Sequence, residues 1–179
     1  MLTLILGGAR SGKSRYAQAL CQSASRVIYV ATARCSVPDE EMERRIARHR
    51  ADRLSAWATV EESLDVARAV REAQPADALV LVDCVTVWLA NLAWEYRALA
   101  DGEREKLILE RVGEFARTAW EREVVAVSNE VGSGIVPDNP VGRSFRDLQG
   151  LANQLLAREA GRVFLVVAGL PLAIKDERG

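Results

Sequence analysis

Residues 7–14 read Gly7-Gly8-Ala9-Arg10-Ser11-Gly12-Lys13-Ser14, the G-x-x-x-x-G-K-S spacing of a loop that wraps nucleotide phosphates. Such a loop dictates its surroundings. It must leave a buried strand and open a helix, because the anion is held by backbone N–H groups at the helix N-terminus. Both neighbours are present. Leu2 to Leu6 is a short apolar run suited to a buried strand, and Arg15 to Ser23 carries Tyr16, Ala17, Ala19 and Leu20 without Gly or Pro. Gly7, Gly8 and Gly12 allow a tight turn and close approach to phosphate. Lys13 is placed to reach the β/γ-phosphates as a point charge, and the Ser14 hydroxyl to ligate Mg²⁺. The chain therefore reads as a nucleoside triphosphate binder.

The remaining sequence alternates apolar runs with helical patterns. Strands are predicted at 26–32, 58–60, 78–83, 123–127 and 162–168, with a weaker edge strand at 170–175. Helices are predicted at 39–50 (capped by Asp39), 63–73 (capped by Ser63), 85–99, 103–121 and 141–160. Asp101-Gly102 reads as a break and Gly161 as a closing C′ glycine. Ser128 to Pro140 reads as a long loop of a kind that is often functional, with Glu130 and Asp138 as acid/base or ribose candidates. The pattern predicts an α/β fold, P-loop NTPase-like, with a mainly parallel sheet covered by helices on both faces. At 179 residues one domain spanning 1–179 is expected.

Composition narrows the partners. A net charge of −1 disfavours non-specific nucleic-acid binding. No apolar run reaches membrane-spanning length. The chain runs directly into the phosphate loop, leaving no room for a removable signal peptide, and Cys21, Cys35 and Cys84 show no metal or disulfide framework. A reduced, cytoplasmic setting is the expectation.

Two further groups carry candidate chemistry. Asp83 ends an apolar strand downstream of the phosphate loop, the Walker-B arrangement for a carboxylate that helps hold Mg²⁺; its alternative role is a helix N-cap. His49 is the only histidine, on one predicted helix face with Met42 and Ile46, and is flanked by Arg48, Arg50 and Arg53. Clustered guanidiniums suit phosphate, and their charge favours the neutral, nucleophilic imidazole. A packed histidine beside a solvated Arg/Glu face is the other reading.

The chain resembles the bifunctional adenosylcobinamide kinase/adenosylcobinamide-phosphate guanylyltransferases of cobalamin biosynthesis over nearly its whole length. The resemblance rests on G-G-A-R-S-G-K-S-R at 7–15, Y-V-A-T at 29–32, I-A-R-H-R-A-D-R at 46–53 and D-C-V-T at 83–86. It continues through N-L at 91–92, N-E-V-G-S-G-I-V-P at 129–137, F-R-D at 145–147, Asn153, L-V-V-A-G at 165–169 and I-K at 174–175. The resemblance implies ATP or GTP phosphorylating adenosylcobinamide, then GMP transfer from GTP through a GMP-histidine at His49. It implies nucleotide contacts from Ala31, Thr32, Ala33, Arg50, Ala51, Asp52, Arg53, Glu61 and Asp83, with Lys13 catalytic and Ser14 and Asp83 on Mg²⁺. It also implies a homotrimer.

Three other readings compete, one of them a kinase-only variant that has lost guanylyl transfer, against which the retained His49 and its arginines argue. A simple P-loop kinase of another metabolite would leave His49 structural. A GTP-dependent switch needs an N-K-x-D base-reading motif, which the chain lacks, and the D-x-x-G at 147–150 falls inside a predicted helix.

Overall fold

The computed structural model describes residues 1–34 and 57–177. The predicted helix at 39–50 lies outside the described residues, as do His49, Arg50, Ala51, Asp52 and Arg53.

Strand β1 (Leu2–Gly7) leads through the phosphate loop into α1 (Lys13–Cys21), followed by β2 (Val27–Ala31). After β3 (Ala58–Glu61) come α2 (Val66–Glu72), β4 (Leu79–Asp83), α3 (Val85–Glu95) and α4 (Asp101–Thr118). The chain continues with β5 (Val124–Asn129), α5 (Pro140–Glu159), β6 (Arg162–Val167) and β7 (Leu170–Asp176). Among the described residues these form one seven-stranded sheet in the order β3-β2-β4-β5-β1-β6-β7. Every pairing is parallel except β6 with β7, which closes the sheet as an antiparallel edge hairpin.

Alternation along each strand splits the core into two layers, since successive side chains point to opposite faces. Leu2, Leu4, Ile28, Val30, Val80, Val82, Val124 and Ala126 face a layer with Val66 and Val70 of α2, Trp88 and Leu92 of α3, Phe115 of α4 and Leu156 of α5. Ile5, Tyr29, Leu79, Leu81, Val125 and Val127 face the opposite layer, with Ala17 and Cys21 of α1. Central strands buried on both faces read as unbroken apolar runs, which is why the sequence located them. Trp88 and Phe115 meet edge to face at 5.6 Å in the larger layer.

Several local expectations change. The cap of α2 is Asp65, whose carboxylate accepts from Arg68 N at 3.1 Å, in place of Ser63. Asp101 and Gly102 open α4 instead of breaking the chain, with Asp101 and Glu103 in its positively polarised first turn. Ser128 and Asn129 complete β5, so the loop is 130–139 and Asn139 caps α5 through Gly142 N at 2.7 Å. Gly161 does not adopt the left-handed C′ conformation; α5 ends on extended Ala160. An added Cβ there would sit 2.7 Å from Met1 Sδ, so a larger residue would have to push the Met1 side chain aside.

The strand register lines up the functional rim. Gly7 pairs with Asn129, Asp83 with Val127 and Ala31, and Ala31 with Glu61. The carboxyl ends of β1, β5, β4, β2 and β3 thus lie side by side, the place where open parallel sheets bind ligands.

Candidate functional site

The phosphate loop is built by close contacts as much as by conformational freedom. Gly12 caps α1 in the left-handed region at φ 93°, and Arg10 also takes positive φ, at 56°. A non-glycine residue there costs roughly 1–2 kcal/mol, so the surrounding loop must hold it. Gly7 is needed for a different reason: a Cβ on it would lie 2.5 Å from Ser11 Oγ and 2.7 Å from the Val166 carbonyl oxygen. The loop is braced by Ser11 N on Gly8 O at 3.3 Å and by Gly169 N on Ser11 O at 2.8 Å, from the β6–β7 turn. Ala9 and Arg10 are exposed on the loop. Lys13 is almost wholly buried, and its ammonium donates to Gly8 O at 3.0 Å, inside the loop's own curve. Its charge therefore stays with the amides that cradle phosphate.

The end of β4 lies on the same rim, two strands from β1. Burial pushes the Cys84 thiol up to about 12; the Asp83 carboxylate adds to this, while the Val87 and Thr86 amides and Lys13 oppose it. Lys13 is thus close enough to act electrostatically on the residue after Asp83. Asp83 itself is partly exposed, and its Oδ2 accepts from Tyr29 Oη at 3.0 Å. Tyr29 comes from the adjacent strand and is 1% exposed, so the hydroxyl has little freedom to leave. Thr32 is fully buried; its hydroxyl donates to Cys84 O at 2.8 Å and accepts from Cys84 N at 2.9 Å. The Asp83 N-cap reading fails, because Cys84 occupies the cap position of α3 without a side-chain bond.

Ser14, on the first turn of α1, and Asp83, at the end of β4, carry oxygen atoms of the kind that could hold a hard cation. Among the described residues, no group of three or more His, Cys, Asp or Glu could enclose a metal. That donor set suits an ion held by one or two protein oxygens with the rest of its shell from phosphate and water.

The 130–139 loop leaves the rim next to Gly7, since Glu130 N donates to Gly7 O at 3.0 Å. Glu130 Oε1 accepts from Gly132 N at 2.5 Å and Ser133 N at 3.1 Å, so this carboxylate folds the turn. Asp138 accepts from the neighbouring Asn139 Nδ2 at 3.2 Å. A buried polar cluster secures the root of the loop. Ser128 Oγ donates to Asn153 Oδ1 at 2.7 Å, Gln149 Nε2 donates to both oxygens, and Asn153 Nδ2 donates to Asn129 O at 3.0 Å. Asn129 N donates to Thr86 Oγ1 at 2.8 Å.

The described site residues therefore gather on one rim: 7–14, Ala31, Thr32, Ala33, Glu61 and Asp83. Thr32 sits there with its hydroxyl committed to Cys84. Glu61 is exposed at the far end, in register with Ala31. Residue types alone did not identify Tyr29, Asn91 or Thr86 as parts of this rim. Their partners lie 28 to 59 residues away in sequence, where no local pattern reaches.

The model of the cobinamide kinase / cobinamide phosphate guanyltransferase family matches residues 3–174. The bifunctional adenosylcobalamin biosynthesis protein CobP of Pseudomonas aeruginosa is 45% identical over 179 residues, covering 99% of each chain. The bifunctional adenosylcobalamin biosynthesis protein CobU of Escherichia coli is 39% identical, covering 98% of this chain and 100% of its own. CobU of Salmonella typhimurium is 38% identical with the same coverage. A phosphate loop beside a strand-end carboxylate, within a match of this extent, places the chain in the cobinamide kinase / cobinamide phosphate guanyltransferase family.

Proposed function

We propose that this protein phosphorylates adenosylcobinamide with ATP or GTP and then transfers GMP from GTP to adenosylcobinamide phosphate, through GMP bound covalently to His49. The observation that carries the reading is the phosphate loop with its buried Lys13 and the strand-end carboxylate Asp83 on one rim of a chain whose family match covers 3–174.

In the first step the cobinamide hydroxyl attacks the γ-phosphorus, its proton is lost, and the bond to the β-phosphate oxygen breaks. Lys13 and the amides of residues 8–14 neutralise the charge that develops on the transferring group. Ser14 and Asp83 would hold Mg²⁺, which would supply further charge neutralisation. In the second step a neutral imidazole nitrogen of His49 attacks the α-phosphorus and pyrophosphate leaves. A phosphate oxygen of adenosylcobinamide phosphate then attacks the same phosphorus, the P–N bond breaks and the imidazole is restored. Ala31, Ala33, Glu61 and Arg50 to Arg53 are the proposed nucleotide contacts; Thr32 contributes through its backbone position. The working unit is a homotrimer in the cytoplasm. Among the described residues, no helix is long and apolar enough to cross a membrane.

Intact-protein mass spectrometry after incubation with GTP and Mg²⁺ tests the reading. Wild type should gain one GMP unit, His49→Ala none and Lys13→Ala none. Absence of the adduct in wild type with GTP bound would reduce the protein to a kinase. A full adduct in Lys13→Ala would separate the two reactions into two sites.

A further inference from the structure

The loop 130–139 leaves the end of β5, and β5 lies in the sheet between β1 and β4. It therefore rises between the phosphate loop that follows β1 and Asp83 at the end of β4. Glu130 N on Gly7 O ties its first residue to the root of the phosphate loop. An acceptor that takes the γ-phosphoryl group has to reach the triphosphate at this part of the rim.

The loop is held along its length. Glu130 Oε1 closes its first turn on Gly132 N and Ser133 N. Arg143 Nη1 donates to Pro137 O at 3.0 Å and to Asp138 O at 2.8 Å, and Asn139 caps α5. Pro137 packs on Gly142, where an added Cβ would lie 2.8 Å from Pro137 Cβ. That contact ties residues 136 and 141, one position before each partner, into one part of the surface. Yet this braced loop keeps its large aliphatic side chains in water: Ile135 is 97% exposed, Val141 79% and Val136 57%. Single exposed aliphatics are ordinary, but three within seven residues of a held segment form an apolar surface of the kind that meets a ligand.

Charge indicates which substrate meets it. From 130 to 142 the chain has no Lys or Arg, and its ionisable side chains are Glu130 and Asp138. A lid over phosphates would bring cations to them. This loop instead repels phosphate and suits an apolar body that is uncharged or cationic. Among the substrates of the proposed function, the corrinoid has such a body, a broad macrocycle edged with methyl groups and neutral amide arms.

We propose that Ile135, Val136 and Val141 form the docking surface for the corrinoid body of the acceptor, holding its hydroxyl end toward the phosphate loop. The proposal rests on the reading above that the acceptor is adenosylcobinamide, and is independent of which residue carries GMP. It makes the loop specific to the acceptor, so nucleotide binding does not depend on these three side chains.

The test compares Ile135→Ser/Val141→Ser and Val136→Ser with wild type. Trp120→Ser is the control, since Trp120 is exposed and precedes the opposite end of β5. Kinase kcat and KM on adenosylcobinamide are measured beside GTP affinity by titration, thermal unfolding and assembled mass by light scattering. Removing covered aliphatic groups should raise KM for adenosylcobinamide about 10- to 100-fold in the double variant and about 3- to 10-fold in Val136→Ser. Kinase kcat, GTP affinity and the KM of Trp120→Ser should stay within about twofold of wild type, the pattern of lost uniform binding. A KM within about twofold of wild type in the double variant, an equal loss of GTP affinity, or failure of both loop variants to fold would overturn the proposal. A fall in assembled mass with unchanged KM would also overturn it, assigning the patch to contact between copies of the chain. A wild type that binds GTP but does not phosphorylate adenosylcobinamide would instead sink the acceptor reading, a separate result.

Discussion

Replacing Gly7 by alanine tests whether the phosphate loop is positioned by close packing at its root. The new Cβ would lie 2.5 Å from Ser11 Oγ and 2.7 Å from Val166 O. The serine hydroxyl can rotate away. The Val166 carbonyl cannot, because it belongs to β6, which pairs with β1 from Thr3 to Leu6. Restoring an ordinary carbon–oxygen separation requires β1 and β6 to part by about 0.5 Å at the loop's root, the kind of overpacking that costs about 1–3 kcal/mol. Gly169 N and Ser11 O would be carried along, since they bond across the same place. A displacement of that size beneath the phosphates should lower kcat/KM about 10- to 100-fold. Both reactions should fall together, because both need the triphosphate seated. Gly8→Ala is the control: its added Cβ meets nothing within 4 Å and its φ is not positive. Its stability should stay within about 0.5 kcal/mol of wild type, so any loss there reports contact with the nucleotide itself. Urea unfolding and steady-state kinetics of both variants decide. Gly7→Ala with wild-type stability and full activity would refute the packing argument.

Three other perturbations follow from the same geometry. The Arg122 guanidinium donates to the carbonyls of Val70, Ala73, Pro75 and Ala78 at 2.6 to 3.3 Å, tying the end of α2 to β4. Arg122→Met should lower unfolding free energy by about 3 kcal/mol in urea titrations, given charge-assisted bonds of about 1.5–3 kcal/mol each and carbonyls that partly regain water; a loss under 1 kcal/mol would show that water replaces the guanidinium freely. Burial pushes the Cys21 and Cys84 thiols up to about 12. Both should resist iodoacetamide at pH 8 in the native protein and react after unfolding, as read by peptide mass spectrometry. Burial alone would raise the Glu62 carboxyl, but the Leu64 and Asp65 amides at 2.8 and 3.0 Å and the Arg68 guanidinium outweigh it and hold it below the ordinary range. A depressed folded-state value gives stability that is full above the unfolded pKa and fades as pH falls through the folded one. Glu62→Gln should therefore be less stable than wild type at pH 7, with the gap closing in acid; an unchanged gap at pH 3 would assign the effect to packing.

What could be read from the sequence divides along a physical line. The central strands announce themselves because burial on both faces forces unbroken apolar runs, and the phosphate loop because its chemistry needs fixed spacing. The edge strand β7 was legible for a related reason, a short apolar tail after a glycine. Helix starts were less legible. Ser63 and Asp65 are both good caps, and only the fold decides which carboxylate or hydroxyl meets a free N–H. Asp101-Gly102 has breaker composition, yet a helix tolerates both in its first turn, where Asp favours the dipole. At the site, Lys13, Asp83 and the residues of 7–14 were readable individually. The grip of Thr32 on Cys84 and of Asn91 on Thr32 and Ser63 was not, because these bonds join positions 28 to 59 residues apart.

The rim also bears on how one triphosphate can be attacked at two phosphorus atoms. From β1 to β3 the sheet runs through β5, β4 and β2, four interstrand steps of about 4.8 Å, or roughly 19 Å. The groups suited to the γ-phosphate, Lys13 and the loop amides, sit at the β1 end, with Asp83 two strands away. The stretch that carries His49 connects the carboxyl end of β2 to the amino end of the parallel strand β3. The exposed carboxylate of Glu61 is in register with Ala31 at the β3 end, and on the proposed function it is one of the nucleotide contacts. On the proposed function both reactions use one nucleotide site, since the sequence holds a single phosphate-loop motif and a nucleophile from another segment can reach a different phosphorus of the same triphosphate.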